Sequence, residues 1–492
     1  MKTLRGYVLT LVCCMVLGGS ASGQTADRAI PETPAGKFLS AFIAAFNSGE
    51  PQQWREFIQH HANPLDSAER SPRRFEMFQL LHGDLGGIEL YRIDSTAACR
   101  ISALAKAVAP QGVYEWVQFD VSVDTLPPHY WARVGVQPAD NPERRLPDGK
   151  LTDEQVVALT EVYLDELVSR DRFSGTVLFA KDGNVLFKKA YGLANKRYNI
   201  PNKTDTKFNL GSMNKMFTGV AIAQLAQQGK LSFNDPIIKH LPDYANREVA
   251  EKVTIHHLLT HTSGLDAYWD AMAEMDWTKL RSVADFAGLF VNDTLLFKPG
   301  EKFHYSNNGP IVLGLIIEAI TGMDYHDYIR ENISKPAGMI NTDCYPMDSP
   351  VPNLAFGYTK YDYQDRRTDK WHNNLFKHSA RGSAAGGGFS TVEDLLNFDI
   401  ALRNHRLLNE EYTTIVTTGK EQMGGPEMMY GYLFGVATEQ GQRIIGHNGG
   451  APGISAVLDM YFDSGYTVAI MSNYDEIADV VAHEIRTLLL KE

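Results

Sequence analysis

The chain has 492 residues, more than one ordinary core needs, so two domains plus processing segments are expected. Hydrophobic residues make up 44% and charged residues 22%, as in soluble globular proteins. A formal net charge of -12 with no long basic run argues against nucleic acid as a partner, because phosphate binding rests on clustered Lys and Arg.

In chain order, Lys2 and Arg5 precede the apolar stretch GYVLTLVCCMVLGG, and SASGQ follows with small residues. Residues 1–23 are expected to be a secretory signal peptide, cut near Ser22 or Gly23, which would place the protein in the periplasm or outside the cell. The apolar run is short for a membrane span, and no later stretch is long and apolar enough, so no stable span is expected after cleavage. Cys13 and Cys14 would leave with the signal. Cys99 and Cys344 remain, and two such distant cysteines are expected to stay apart as buried thiols.

Residues 24–135 are expected to form a small α+β domain. GKFLSAFIAAFNSG, PQQWREFIQHHAN and SPRRFEMFQLLHGDLGG read as helices. The period then changes to two in IELYRID, ACRISALAKAV and YEWVQFDVSVD, as in half-buried strands. Helices followed by antiparallel strands suggest a curved sheet wrapped on helices, an arrangement that resembles the cone-like nuclear-transport-factor-2 fold. Residues 136–150 are rich in Pro, Asp and Arg and read as a linker to a second domain over 151–492.

That second domain opens with a helix through EQVVALTEVYLDELVSR, for which Thr152 is the expected N-cap. A hairpin follows, turning at Asp182-Gly183. A helix is predicted from about Ser212 to Gln228, ending at Gly229. His257 and His261 stand four apart on a predicted helix, a spacing that can bind zinc; no glutamate lies between them and no third ligand follows, so packing and capping is the preferred account. Strands return after Tyr430, and a last helix runs from about Ile477 to Leu490. A hairpin before the helices and strands after them imply one sheet completed from both chain ends.

Three short motifs carry chemistry. Ser212 and Lys215 lie three residues apart, on one face of a helix and at its N-terminus, where free backbone N–H groups favour negative charge. A serine there can attack a carbonyl while its own N–H holds the oxyanion, and a lysine of lowered pKa can take the proton. Taken alone, the pair is better explained by a helix cap and a solvated lysine. Tyr305-Ser306-Asn307 sits on a loop before the helix that opens near Pro310. A tyrosine held near its anionic form by a cation can relay protons, and Asn307 offers an amide for substrate. His447-Asn448-Gly449, followed by Gly450, lies between two apolar strands, where glycine lets a substrate approach the backbone.

In this order the three motifs resemble those of the serine β-lactamase and penicillin-binding-protein superfamily, most nearly its class C β-lactamase-like branch. LLTHTSGL, KPGEKFHYSN and AAGGGFSTVEDL match as well, and the likeness covers roughly residues 150–490. The resemblance implies an antiparallel sheet flanked by helices beside a helical region, and a serine hydrolase that works through an acyl-enzyme on a small ester, amide or peptide. It implies catalytic roles for Ser212 (nucleophile), Lys215 and Tyr305 (proton shuttle). It implies substrate contacts by Asn307, His447 and Gly449, with Gly450 as second oxyanion donor. It implies no cofactor and no metal. His447 stands where the family more often has lysine, and a histidine is only partly charged near neutral pH. The alternative is a penicillin-binding-type sensor that acylates and deacylates slowly or not at all. Oligomeric state is left open.

Overall fold

The structure is a computed structural model. It describes residues 29–492 apart from 66, 111–113, 269–270, 273–274, 364–365 and 424–426. The expected signal peptide lies outside the described residues. The chain falls into two compact units that meet in sequence at Asp148 and Gly149.

The first unit holds helices α1 (Pro34–Asn47), α2 (Pro51–His61) and α3 (Ser67–Leu85), then strands β1 (Ile88–Ala97), β2 (Arg100–Ala107), β3 (Trp116–Val123) and β4 (Trp131–Pro138). The strands form an antiparallel sheet in the order β1-β2-β3-β4. Strand β4 is additional to the three read from the sequence. Breaks in the β1–β2 register bend that edge of the sheet. The helices lay Phe38, Phe42, Phe46, Trp54, Phe57 and Phe78 against Phe119 and Trp131 of the sheet. Arg74 sits over the Trp131 ring at 4.5 Å and donates to its carbonyl at 2.7 Å.

The second unit opens with helix α4 (Asp153–Ser169), where Thr152 and Gln155 cap each other as expected. Strands β5 (Gly175–Lys181) and β6 (Asn184–Tyr191) form the hairpin. Asp182 and Gly183 both take positive φ, which suits a tight hairpin turn. The helical region follows, with α5 (Asn214–Gln227), α6 (Ile255–Leu259), α7 (Asn308–Thr321) and α8 (Val392–Arg403). Then come β7 (Glu421–Gln422), β8 (Met428–Tyr430), β9 (Gly435–Glu439), β10 (Gln442–Ala451), β11 (Ile454–Tyr461), β12 (Tyr466–Ser472) and the closing helix α9 (Ile477–Leu489). Among the described residues, β7 through β12 continue into β5 and β6 as one eight-stranded antiparallel sheet. The early hairpin therefore joins the late strands, as the two-ended pattern predicted.

Helix α5 fixes the site. Its sequence, NKMFTGVAIAQLAQ, is apolar on every face, so it is buried rather than laid on a surface. Met216, Phe217, Val220, Ala221, Ile222 and Leu225 are all almost fully buried. Lys215 belongs to the same first turn and is carried into the core with them. Cys99 is half-buried and Cys344 buried; both are free.

Candidate active site

Ser212 is not the first residue of α5. It sits in a short 3-10 turn, Gly211–Met213, that leads into the helix. Gly211 adopts a φ of 51°, a region that favours glycine. A Cβ at Gly211 would stand 2.9 Å from Gly450 N, and one at Gly449 would stand 1.9 Å from Leu210 O and 2.9 Å from Ser212 N. The serine turn and strand β10 are thus pressed backbone to backbone, which explains glycine at 449. Gly450 differs: a Cβ there would meet nothing nearer than Ile454 O at 4.0 Å. Behind the turn, Gly387 N–H donates to Gly211 O at 3.1 Å, and a Cβ at Gly386 would meet that same oxygen at 2.8 Å.

Lys215 Nζ lies 3.0 Å from Ser212 Oγ and donates to the Ala385 carbonyl at 2.6 Å. The side chain is fully buried, and burial drives its pKa well below the usual lysine range. Among the described residues, no carboxylate is one of its hydrogen-bond partners, so burial shifts its balance towards the neutral amine. Its Nζ stands 4.9 Å from the centre of the Tyr305 ring.

Tyr305 departs from the expectation of a tyrosine held near its anion. Burial raises its pKa, and the hydrogen bond to Ser212 only partly offsets that rise. Burial of the neighbouring lysine works against the cation that would hold the phenol near its anion. Tyr305 is therefore a neutral phenol, packed on the ring of His261 at 4.4 Å between centroids and 6.4 Å from that of His447.

Two residues after the tyrosine, Asn307 is 5% exposed and its Oδ1 has no hydrogen-bond partner among the described residues. It does not cap α7. Ser306 does that, its Oγ accepting from Asn308 N at 3.2 Å and Gly309 N at 3.4 Å while donating to Asp266 O at 2.7 Å. The Asn307 amide is thereby left to the site. A buried acceptor without a partner costs about 1–3 kcal/mol unless something arrives to pair with it.

The histidine pair is rearranged relative to the sequence expectation. Helix α6 stops at Leu259, and His261 lies beyond it with a φ of 56°. His257 and His261 therefore do not share a helical face. His257 Nδ1 accepts from Thr254 N–H, completing a capping box. His261 Nδ1 accepts from Ser306 N–H, and its Nε2 lies 3.1 Å from Tyr430 Oη. Tyr430 in turn lies 3.0 Å from His447 Nε2. Among the described residues no cluster of three His, Cys, Asp or Glu side chains could hold a metal ion.

Ser212, Lys215, Tyr305 and Gly449 thus meet around one point, with His447 beside Tyr305 and Asn307 following it on the loop. Sequence reasoning assigned no site role to Ala385 or Tyr430, and it set His261 in a helix beside His257 rather than beside Tyr305. AAGGGFS and LLTHTSGL did mark Ala385 and His261 as part of the likeness; nothing near Tyr430 marked it.

The Beta-lactamase family model matches residues 156–491. The chain belongs to the beta-lactamase family. The resemblance carried by the three motifs holds. Penicillin-binding protein 4* of Bacillus subtilis is 32% identical over 329 residues, which is 64% of this chain and 71% of that protein. A solved penicillin-binding protein from Bacillus halodurans is 32% identical and has a TM-score of 0.60, covering 66% of this chain and 99% of its own. A D-stereospecific amidohydrolase from Streptomyces is 25% identical, with a TM-score of 0.57 over 67% of this chain and 97% of its own. Residues before 156 fall outside the beta-lactamase family match, so the first unit is an addition to the family core. No helix among the described residues is long and apolar enough to cross a membrane.

Proposed function

We propose that this beta-lactamase-family protein is a serine hydrolase that cleaves small esters, amides or peptides through an acyl-enzyme on Ser212. The observation that carries the proposal is the fully buried Lys215 with its Nζ 3.0 Å from Ser212 Oγ. An amine stripped of solvent has a lowered pKa and can act as a general base near neutral pH.

In this reading, Lys215 takes the Oγ proton as Oγ bonds to the substrate carbonyl carbon. The carbonyl oxygen becomes an oxyanion, received by the N–H groups of Ser212 and Gly450. The tetrahedral centre collapses, the bond to the leaving group breaks, and the proton passes from Lys215 through the Tyr305 phenol to the departing oxygen or nitrogen. Water then attacks the acyl-enzyme with the proton path reversed, regenerating Ser212. A neutral phenol suits the relay, since it gives one proton as it receives another. Asn307 Oδ1 accepts an N–H from the acyl side of the substrate, and His447 lines the leaving-group side. The likeness to a D-stereospecific amidohydrolase supports D-configured amides among the substrates to try.

The proposal extends to the rest of the chain. Residues 1–23 are a signal peptide, 24–135 a small domain, 136–150 a linker and 151–492 the hydrolase, working in the periplasm or outside the cell. The first domain is cone-like in the manner of nuclear transport factor 2; three helices packed on a bent antiparallel sheet support that description.

A panel of p-nitrophenyl acetate, nitrocefin and D-amino-acid amides and peptides tests the function. Ser212→Ala should abolish turnover while the melting curve stays cooperative. Full activity in that variant overturns the proposal. A stable adduct on Ser212 without turnover would instead identify a slowly deacylating sensor.

A further inference from the structure

Two histidines and a tyrosine that take no proton in the proposed mechanism form one hydrogen-bonded chain beside the site. The chain begins at a backbone amide, which sets its direction. Ser306 N–H donates to His261 Nδ1 at 3.2 Å, so that nitrogen carries no proton and the neutral ring holds its proton on Nε2. His261 Nε2–H donates to Tyr430 Oη at 3.1 Å. The phenol's own proton then goes to His447 Nε2, 3.0 Å away. His447 Nδ1 lies 2.5 Å from the Asn448 carbonyl, which can only accept, so Nδ1 keeps the ring proton.

Every proton in this chain has one place. A second proton on His447 would set two N–H donors, one from each histidine, against a single phenol oxygen. It would also turn the phenol proton away from its acceptor, in a place where Tyr430 is 1% exposed. Burial acts in the same sense. It pulls the His447 pKa down to about 3. Burial, the largest cause, also holds His261 well below the ordinary range. Asp266 Oδ1 lies 3.5 Å from His304 Nε2.

We infer that His261 and Tyr430 lock His447 as a neutral hydrogen-bonding group, so that the site selects esters and amides whose leaving group carries no carboxylate. The inference rests on the proposed nucleophile and on His447 lining the leaving-group side. A carboxylate placed there would lose water beside a neutral imidazole, a neutral phenol and a neutral amine, with no cation in return. A carboxamide of the same shape would lose far less. His261 and Tyr430 touch no reacting atom in this scheme; they are positioning residues that set the character of His447.

Two acylglycine aryl esters test this, one releasing 3-hydroxybenzoate and the other 3-hydroxybenzamide. They match in shape and differ in charge. The wild-type protein should favour the benzamide ester by at least about tenfold in kcat/KM, the scale set by an uncompensated charge at a desolvated contact. His447→Lys should narrow or invert that ratio. Tyr430→Phe should narrow it as pH falls from about 7 to about 5, because an imidazole freed from the phenol can take up a proton there. The ratio is read rather than the rate, so a general loss of activity does not imitate the effect, and the wild-type comparison needs no variant to fold. Equal or faster turnover of the benzoate ester by the wild type overturns the inference, as does a ratio indifferent to His447→Lys. If both esters are cleaved at rates that Ser212→Ala leaves unchanged, the assignment of the nucleophile falls, and this inference with it.

Discussion

The two sides of the site keep their titratable groups uncharged by different means. On the helix side, burial favours the neutral amine of Lys215, because α5 is buried all round and takes it out of water. On the strand side, the hydrogen bonds through Tyr430 and His261 favour a neutral His447 by giving each proton one place. The first device costs stability and leaves a free lone pair, which suits a base. The second satisfies its polar atoms and leaves nothing to take a proton, which suits a recognition group. A buried amine beside a serine is an unpaid debt of folding that chemistry can use; a closed hydrogen-bonded chain is not.

The largest expected effect is at the nucleophile. Ser212→Ala should lower kcat for any substrate by roughly 10³-fold or more, measured by steady-state kinetics. The next tests the contact between the two sides. Gly449→Ala places a Cβ 1.9 Å from Leu210 O, so it should cut kcat by roughly 10²-fold, the scale of losing an oxyanion donor. Gly450→Ala meets open space and should cost only about a few-fold, since its contribution is an N–H that alanine keeps. Similar losses in both would break the picture of a turn pressed on β10 at Gly449.

Lys215→Met should separate the two devices most clearly. It removes the base, so activity should fall almost as far as in Ser212→Ala. It also removes a buried amine, so denaturant unfolding at neutral pH should show a gain of about 1–3 kcal/mol. The sign follows from linkage: the unfolded chain holds a proton on Lys215 more tightly than the folded chain does, which lowers stability below the ordinary lysine pKa. A loss of stability in this variant would mean that the amine is charged and paired in the folded protein.

A smaller effect belongs to the strand side. His447 has a pKa near 3 in the folded chain against an ordinary value of 6.5. Between those values the unfolded chain takes up a proton that the folded chain does not, so stability should fall as pH drops from 6.5 towards 3. Above that window the term vanishes. His447→Gln should flatten this part of the stability curve in unfolding titrations, and an unchanged slope would show that His447 protonates freely.

Much of this was legible in the sequence. The hairpin turn at Asp182-Gly183, the Thr152 cap and the two-ended sheet follow from local pattern, because turn and cap residues act over three or four positions. The three motifs brought the Ser212–Lys215 pair together with Tyr305 and Gly449, which lie far from it in the chain. What stayed hidden depends on burial and direction. The charge of Tyr305 could not be read, since it depends on Lys215 being desolvated by an entire helix. His261 read as a helix residue because its positive φ, unusual outside glycine, has no sequence signature. Tyr430 sits at a strand end in an unremarkable run, and only the fold sets it between two histidines.

The most direct test of the central claim is the pH dependence of Ser212 acylation, followed by quenched-flow intact-mass measurement with an activated ester. The account predicts an adduct on Ser212 whose rate of formation rises with pH through one proton loss, and a rising limb that persists in His447→Gln. Disappearance of that limb in His447→Gln, or an adduct on another residue, would contradict Lys215 as the base.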